Sequence, residues 1–177
     1  PTYEEVCEGY TNHVEVINGM ATFVDEHTLD ISDDGGVSRK TSNKILVATG
    51  ATPFRPENVE FDDRTIFDSD DLLEMPTMPR LLTVVGGGVV GMEYATMFAA
   101  LGVEVTIVDS RRRLLGFVDQ EIIECLMYQM RTMGVTFRLG ETVETCSPRD
   151  DGQVVTRLKS GKVVVSDVVL YSAGRVS

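Results

Sequence analysis

The chain has 177 residues, of which 42% are hydrophobic and 25% charged, as in soluble globular proteins with one sizeable core or two small ones. Its 28 acidic and 16 basic residues give a net charge of −12, which excludes nucleic acid and anionic membranes as expected partners because phosphate binding needs clustered cations. No apolar run approaches the roughly 20 residues that span a bilayer, and no signal-peptide pattern is present, so we expect a cytoplasmic protein.

The cysteines and histidines predict neither a metal site nor a disulfide framework. Cys7, Cys125 and Cys146 are odd in number and widely spaced, so free thiols are expected. His13 and His27 have no second ligand at a suitable spacing and are predicted to lie on the surface.

The first part of the chain alternates apolar and polar residues as β-strands do. Strands are predicted at residues 13–17, 21–24, 28–31 and 37–41, with a hairpin turn at 33–36. Residues 44–50 have a continuous apolar centre and end on small residues, which predicts a strand buried on both faces. Residues 51–74 lack a sustained period and are interpreted as a connection, with a domain boundary near residues 75–80.

The second part of the chain alternates strands with helices. Buried strands are predicted at 81–85, 103–108 and 135–138, and a helix begins after Val90 and ends before Gly102. Asp119 is predicted to cap a second helix that ends at Gly134. The core stripe of that helix comprises Ile122, Ile123, Leu126, Met127, Met130 and Met133. An antiparallel meander at 142–146, 154–158 and 162–165 precedes a buried strand within 167–174.

This order of elements predicts an α/β fold: a Rossmann-like, doubly wound nucleotide-binding domain with an antiparallel β-meander. Residues 14–50 and 135–174 both run from a strand through a meander to a buried strand that ends on small residues. That echo indicates part of a second, similar domain. We assign residues 1–75 to the C-terminal part of the first domain with its linker, 76–172 to the second domain, and 173–177 to a return toward the first.

A glycine turn lies between the strand at 81–85 and the helix that follows. Gly86, Gly88 and Gly91 have the G-x-G-x-x-G spacing of a dinucleotide-binding turn. The first glycine permits the sharp turn, the second lets the backbone approach a pyrophosphate, and the third lets helix and strand pack closely. A purely structural tight turn is the alternative. The strand and helix on either side favour dinucleotide binding.

The next strand closes with an acidic residue and a basic segment. Asp109 follows Gly91 by 18 residues, near the roughly 20-residue interval of a carboxylate that holds a ribose 2′-hydroxyl. Arginines follow at positions 111–113, and their planar donor forks suit a 2′-phosphate. Together these features suggest tolerance of both NAD and NADP. A solvated loop whose arginines offset the acidic surface remains the alternative.

Glu93 lies in the first turn of the predicted helix, where two roles are open. Its charge would be favourable at a helix N-terminus, or its carboxylate could accept a hydrogen bond from the carboxamide of a nicotinamide ring. The sequence offers no nucleophile–base pair and no catalytic residue that can be named. That absence is typical of redox chemistry in which cofactors carry the reaction.

These motifs together resemble the flavoprotein disulfide reductases with two dinucleotide-binding domains, the family of dihydrolipoamide dehydrogenase and glutathione reductase. The segments that carry the resemblance are 45–50, 86–95, 101–106 and 173–175. Within that family, the soluble pyridine nucleotide transhydrogenases are the group most similar to segments 23–29, 68–70, 113–115, 158–162 and 170–171. The transhydrogenase pattern tends to have an amide where Asp109 stands, which leaves the preference between NAD and NADP open.

The resemblance implies that a first domain binds FAD, that a second binds NAD or NADP, and that hydride passes from NADPH through the flavin to NAD. Near FAD it implies Met20 and Ala21 at the adenine, and Ala48, Thr49 and Gly50 at the flavin domain's ligand. At the nicotinamide dinucleotide it implies Gly86, Gly88, Val89, Val90 and Gly91 around the pyrophosphate, Asp109 and Arg111 at the adenosine ribose, Val143 at the adenine, and Glu93 and Gly174 at the nicotinamide end.

The family's FAD phosphate turn, its redox dithiol and its dimerisation domain have no counterpart in these 177 residues. We therefore expect a fragment that binds nicotinamide nucleotide at best without turning over, taken from an enzyme that forms a homo-oligomer. Two other functions remain open: a dihydrolipoamide dehydrogenase-like disulfide reductase that uses NAD, and a nucleotide-binding module without catalysis.

Overall fold

The computed structural model describes residues 15–177 and divides the chain into two units, Pro1–Thr49 and Gly50–Ser177. The predicted boundary near residues 75–80 lies inside the second unit, because the connection that precedes it packs there. The predictions of a free thiol at Cys7 and of a surface position for His13 concern residues outside the described range. None of the helices in the described range is long and apolar enough to cross a membrane.

The first unit contains an antiparallel meander of three strands: β1 (Met20–Asp25), β2 (Thr28–Asp33) and β3 (Gly36–Thr41). The strands and the hairpin turn between β2 and β3 confirm the predicted alternation. Arg39 of β3 donates two hydrogen bonds, of 2.7 and 2.8 Å, to the carboxylate of Asp30 directly opposite on β2. Residues 15–17 carry no regular secondary structure, so the described part of the predicted strand at 13–17 is not a strand.

The predicted buried strand at residues 44–50 is wrong. The structure has no regular element there, and the side chains of Leu46 and Val47 are 90% and 63% exposed. An apolar run becomes a buried strand only when neighbouring strands accept its backbone hydrogen bonds. Among the described residues, no strand pairs with this segment.

The second unit begins with the segment that was predicted to be an irregular connection. It contains two short strands, β4 (Thr52–Pro53) and β5 (Ile66–Phe67), and a 3-10 turn at Asp71–Glu74. Both residues of β5 are buried, and the strand adds to the edge of the main sheet. Two-residue strands leave no periodic signal in a sequence, so this part of the prediction was incomplete.

The main sheet follows the predicted alternation closely. Its elements are β6 (Leu81–Val85), α1 (Val89–Ala100), β7 (Glu104–Asp109), α2 (Gln120–Thr132) and β8 (Thr136–Leu139). Asp119 caps α2 by accepting a hydrogen bond from the Glu121 amide at 2.9 Å, and Gly134 after the helix has a φ of +92°, as predicted.

The remaining strands form the meander and the return to the sheet: β9 (Val143–Pro148), β10 (Val154–Leu158), β11 (Val163–Ser166), β12 (Val168–Tyr171) and β13 (Arg175–Val176). β13 pairs with β4 antiparallel rather than with the main sheet. The main sheet is parallel, in the order β5-β12-β6-β7-β8.

Three layers make up the second unit, and these confirm the α/β Rossmann-like prediction. One hydrophobic cluster joins α1 and α2 to one set of sheet side chains, such as Val84 and Ile107. A smaller cluster joins the meander to others, such as Val85 and Val169. Of the predicted α2 stripe, Ile123, Met127 and Met130 are buried, but Ile122 is 61% exposed.

The sheet contains a buried polar side chain whose replacement should change the stability of the core. Thr83 in β6 is fully buried, and its Oγ1 has no hydrogen-bond partner among the described residues. Because an unpaired buried hydroxyl is costly, Thr83→Val should stabilise the unit by about 1 kcal/mol, or roughly 2–4 °C in Tm. Thermal unfolding measures this. The control is Thr106→Val on the paired strand β7, where the side chain is only half-buried and the gain should be smaller.

Candidate dinucleotide-binding site

A groove of about 430 Å³ opens at the carboxyl ends of the parallel strands. The chain runs from β6 to β7 and β8 on one side of the sheet, and returns at β12 on the other side of β6. The strand order therefore reverses between β6 and β12, which is where open α/β sheets bind ligands. Eight of the residues predicted for the nicotinamide dinucleotide line this groove: Gly86, Gly88, Val89, Val90, Asp109, Arg111, Val143 and Gly174.

Close packing within the protein requires the first and third glycines of the turn. Gly86 has a φ of +107°, and a Cβ added to it would lie 2.6 Å from the carbonyl oxygen of Ser172. A Cβ on Gly91 would lie 1.9 Å from the carbonyl oxygen of Gly86 and 2.7 Å from Ser172 Oγ. Strand β6, helix α1 and the end of β12 thus meet at a point where no side chain fits.

Gly88, the second glycine, differs from the other two. A Cβ added to it would have no protein atom within 4 Å, so contacts within the protein do not require a glycine there. Gly88 is the N-cap of α1, and no side chain caps the helix. The first amides of α1 therefore lie beside open space at the positive end of a helix, which suits an anionic group such as a pyrophosphate.

Ser172 connects the end of β12 to the glycine turn through hydrogen bonds. Its backbone amide donates to the carbonyl of Val85 at 2.8 Å, and its hydroxyl lies 3.1 Å from the carbonyl oxygen of Gly86 and 3.3 Å from that of Val85. The predicted site did not include this residue. Its position directly after a buried parallel strand was the signal that could have identified it.

Asp109 is buried at the end of β7, and donors surround its carboxylate. Oδ2 accepts from the Gly87 amide at 2.7 Å and from Arg111 Nη2 at 2.6 Å. Oδ1 accepts from the Arg111 amide at 2.7 Å and from Arg111 Nε at 2.9 Å. Burial alone would raise the pKa of Asp109, but the Arg111 and Gly87 donors outweigh it and hold the pKa below its usual value. The carboxylate is therefore charged near neutral pH.

One wall of the groove includes Arg175, whose ion pair with Asp70 the sequence did not suggest. Arg175 pairs with Asp70 through bonds of 2.7 and 3.1 Å and donates to the carbonyl oxygen of Ala51. The hydrogen bonds from Arg175 lower the pKa of Asp70. Tyr94 of α1 donates its hydroxyl to the carbonyl of Ser69 at 2.9 Å, which ties α1 to this wall.

Other groove-lining residues also follow strand ends and were missed for the same reason as Ser172. They are Ser69 after β5, Val85 at the end of β6, Ser110 after β7, Glu141 and Thr142 after β8, and Tyr171, Ala173 and Arg175 at or after the end of β12. Glu141 forms an ion pair with Lys162 at 2.7 Å, and hydrogen bonds from Lys162 and Ser160 lower its pKa.

The remaining predicted residues lie outside the groove. Gly91 contributes through packing behind Gly86, and Glu93 is exposed on α1 and does not line the groove. In the first unit, Met20 and Ala21 are exposed on β1, and Ala48 and Thr49 are exposed in the irregular segment. Gly50, also exposed, begins the second unit.

Comparison with known proteins assigns this chain to one protein family. The family model of the pyridine nucleotide-disulphide oxidoreductases matches residues 2–177, and the chain belongs to that family. The chain is 43% identical to the soluble pyridine nucleotide transhydrogenase of Mycobacterium tuberculosis over 166 residues, which are 93% of this chain and 35% of the relative. It is 42% identical to the Escherichia coli protein of the same name over 165 residues, with the same coverage. The chain thus spans about a third of the length of these curated relatives.

Solved structures agree with the family assignment. The HOCl-induced flavoprotein disulfide reductase RclA from Escherichia coli superposes with a TM-score of 0.75 at 31% identity, over 91% of this chain and 36% of that one. LpdA from Mycobacterium tuberculosis superposes with a TM-score of 0.82 at 26% identity, with the same coverage. The chain, with its parallel sheet and its meander, therefore has the same fold as these proteins over the aligned residues.

Proposed function

We propose that the groove binds a nicotinamide dinucleotide, and that the chain is part of an FAD-dependent oxidoreductase that transfers hydride from NADPH to NAD. One observation carries the proposal. The first and third glycines of the turn are fixed by backbone contacts, whereas the second faces open space at an uncapped helix N-terminus. A structural turn explains the first and third glycines but not the second, Gly88, which a closely approaching phosphate does explain.

We propose a set of groove residues for each part of the bound dinucleotide. The amides at Gly88, Val89 and Val90 would bind the pyrophosphate, with Gly86 and Gly91 shaping the turn. Asp109 and Arg111 would lie at the adenosine ribose and Val143 at the adenine. Gly174 would lie at the nicotinamide end, with Glu93 reaching toward it from the exposed face of α1.

The FAD part of the proposal rests on family membership. When bound, FAD would accept hydride from one nicotinamide ring and pass it to another. Among the described residues, Met20, Ala21, Ala48, Thr49 and Gly50, which the family resemblance assigns to FAD, are exposed. We therefore propose that the 177 residues alone bind nicotinamide nucleotide without turnover, and that the enzyme acts as a homo-oligomer.

A second candidate is a dihydrolipoamide dehydrogenase-like reductase that uses NAD. The acidic side chain at Asp109 favours it, because such enzymes have an acid at this position. Transfer of hydride from NADPH to thio-NAD tests the first activity, and NADH-dependent reduction of lipoamide tests the second.

Titration of the 177-residue chain with NADH and with NADPH tests nucleotide binding directly. We expect both nucleotides to bind, with a rise in nicotinamide fluorescence, and no flavin absorption band in the purified chain. Gly88→Val should weaken both nucleotides at least about tenfold with little change in Tm, since the added side chain enters the space that the pyrophosphate needs. Failure of both nucleotides to bind at millimolar concentration would refute the proposal.

A further inference from the structure

The Asp109 carboxylate has no free position for a ribose hydroxyl. A carboxylate offers about four acceptor sites, and the Gly87 amide, the Arg111 amide and two guanidinium nitrogens of Arg111 fill them. The Asp109 side chain is 4% exposed, whereas that of Arg111 is 55% exposed. Both residues line the groove, and the accessible group of the pair is the guanidinium.

From this pairing we propose that Asp109 and Arg111 form a latch at the adenosine-ribose subsite, and that Arg111 sets the choice between NAD and NADP by favouring NADP in two ways. It offers a cation to a 2′-phosphate, and it also covers the carboxylate that would otherwise repel that phosphate. For NAD the same cover is unfavourable, because the carboxylate can accept from the 2′-hydroxyl only after the guanidinium moves aside. The inference rests on the proposed binding of nicotinamide dinucleotide in this groove.

The latch also holds the glycine turn. Asp109 Oδ2 accepts from the Gly87 amide at 2.7 Å, and a Cβ on Gly87 would lie 2.5 Å from Leu114 and 3.3 Å from this oxygen. The carboxylate is thus fixed by the turn, while the exposed arginine is the member of the pair that can move. Asp109 stays in place for either nucleotide, and Arg111 changes position.

The variant Arg111→Ala separates the latch from a simple phosphate contact. Loss of a phosphate contact alone would weaken NADPH and leave NADH unchanged. Loss of the latch should weaken NADPH at least about 30-fold, because a cation is lost and an anion is uncovered, and should tighten NADH about threefold or more, because the carboxylate becomes free. The mirror variant Asp109→Asn can still accept from the Gly87 amide, and it should tighten NADPH and weaken NADH.

The experiment measures dissociation constants of both nucleotides for the 177-residue chain, by fluorescence titration at fixed salt, alongside Tm for each variant. Arg149→Ala, which removes one positive charge from the β9–β10 hairpin outside the groove lining, should change neither constant. Opposite changes for the two nucleotides in Arg111→Ala support the latch. Unchanged or weaker NADH binding in a variant with wild-type Tm overturns it while leaving the proposed function intact. Failure of the wild-type chain to bind either nucleotide overturns both.

Discussion

Gly91→Ala should weaken nucleotide binding about 100-fold and lower the Tm of the chain. In an ordinary helix this substitution stabilises by about 1 kcal/mol. Here the new Cβ would lie 1.9 Å from the carbonyl oxygen of Gly86, so α1 must move away from the glycine turn. Overpacking of this kind costs about 1–3 kcal/mol, which corresponds to roughly 3–10 °C in Tm. Displacement of the α1 N-terminus by even about 1 Å should weaken NADH binding about 100-fold, because the pyrophosphate depends on those amides.

The matched control for this prediction is Gly88→Ala, at the second glycine of the same turn. Its Cβ meets no protein atom within 4 Å, so Tm should fall by at most about 3 °C, the cost of replacing a glycine N-cap, while nucleotide affinity falls. Calorimetry and NADH titration of both variants distinguish a defect in packing from a defect in ligand contact. Wild-type Tm and affinity in Gly91→Ala would show that α1 and β6 do not pack as described.

Acid should unfold the second unit steeply below about pH 4. Burial tends to raise the pKa of Asp62, Asp68, Asp109 and Asp167, but hydrogen bonds from backbone amides and arginines outweigh it and lower all four pKa values. An unfolded Asp has a pKa of about 3.9. The stability that a lowered folded-state pKa contributes is therefore present above about pH 4 and is lost as pH falls through the folded-state values. Thermal unfolding between pH 8 and pH 2 measures the loss.

Asp62→Asn isolates one member of this set. The carboxylate accepts from the amides of Arg64, Thr65 and Ile66 and from the Thr65 hydroxyl, so the variant should lose about 3–6 °C in Tm at pH 7. Because Asn does not titrate, its Tm should fall less on acidification, and the two curves should approach each other as pH falls below about 4. The exposed Glu57→Gln is the control for substitution itself and should leave the Tm at pH 7 close to that of wild type. Parallel curves for Asp62→Asn and wild type would contradict the assignment.

The parts of the fold that the sequence predicts well are those with a sustained period. Strand β6, the glycine turn, α1 and β7 carry continuous apolar runs, helical spacing and terminal glycines, and the structure has each of them within a residue or two. The two-residue strand β5 has no period to detect. The run at 44–50 has the right pattern, but burial of a strand depends on partners that its own residues do not encode.

The same division applies to the candidate site. The glycine spacing and the acid after β7 identify the groove because they are local features. Ser172 and the Arg175–Asp70 ion pair join residues far apart in the chain, and no local pattern indicates such pairs. The Asp109–Arg111 pair is local, yet the sequence could not show whether the arginine faces a ligand or the neighbouring carboxylate, since both arrangements satisfy the same charges.

The pairing of β4 with β13 has a consequence for where the two ends of the nucleotide-binding unit lie. Thr52 lies opposite Val176 and Pro53 opposite Arg175, so the chain enters and leaves the nucleotide-binding unit side by side. Residues 54–174 therefore leave this two-stranded ribbon at one strand and return to it at the other. A unit whose ends are adjacent can be inserted into, or exchanged within, a host domain without separating the host's own strands. The short β4–β13 ribbon thus holds the two ends of residues 54–174 next to each other.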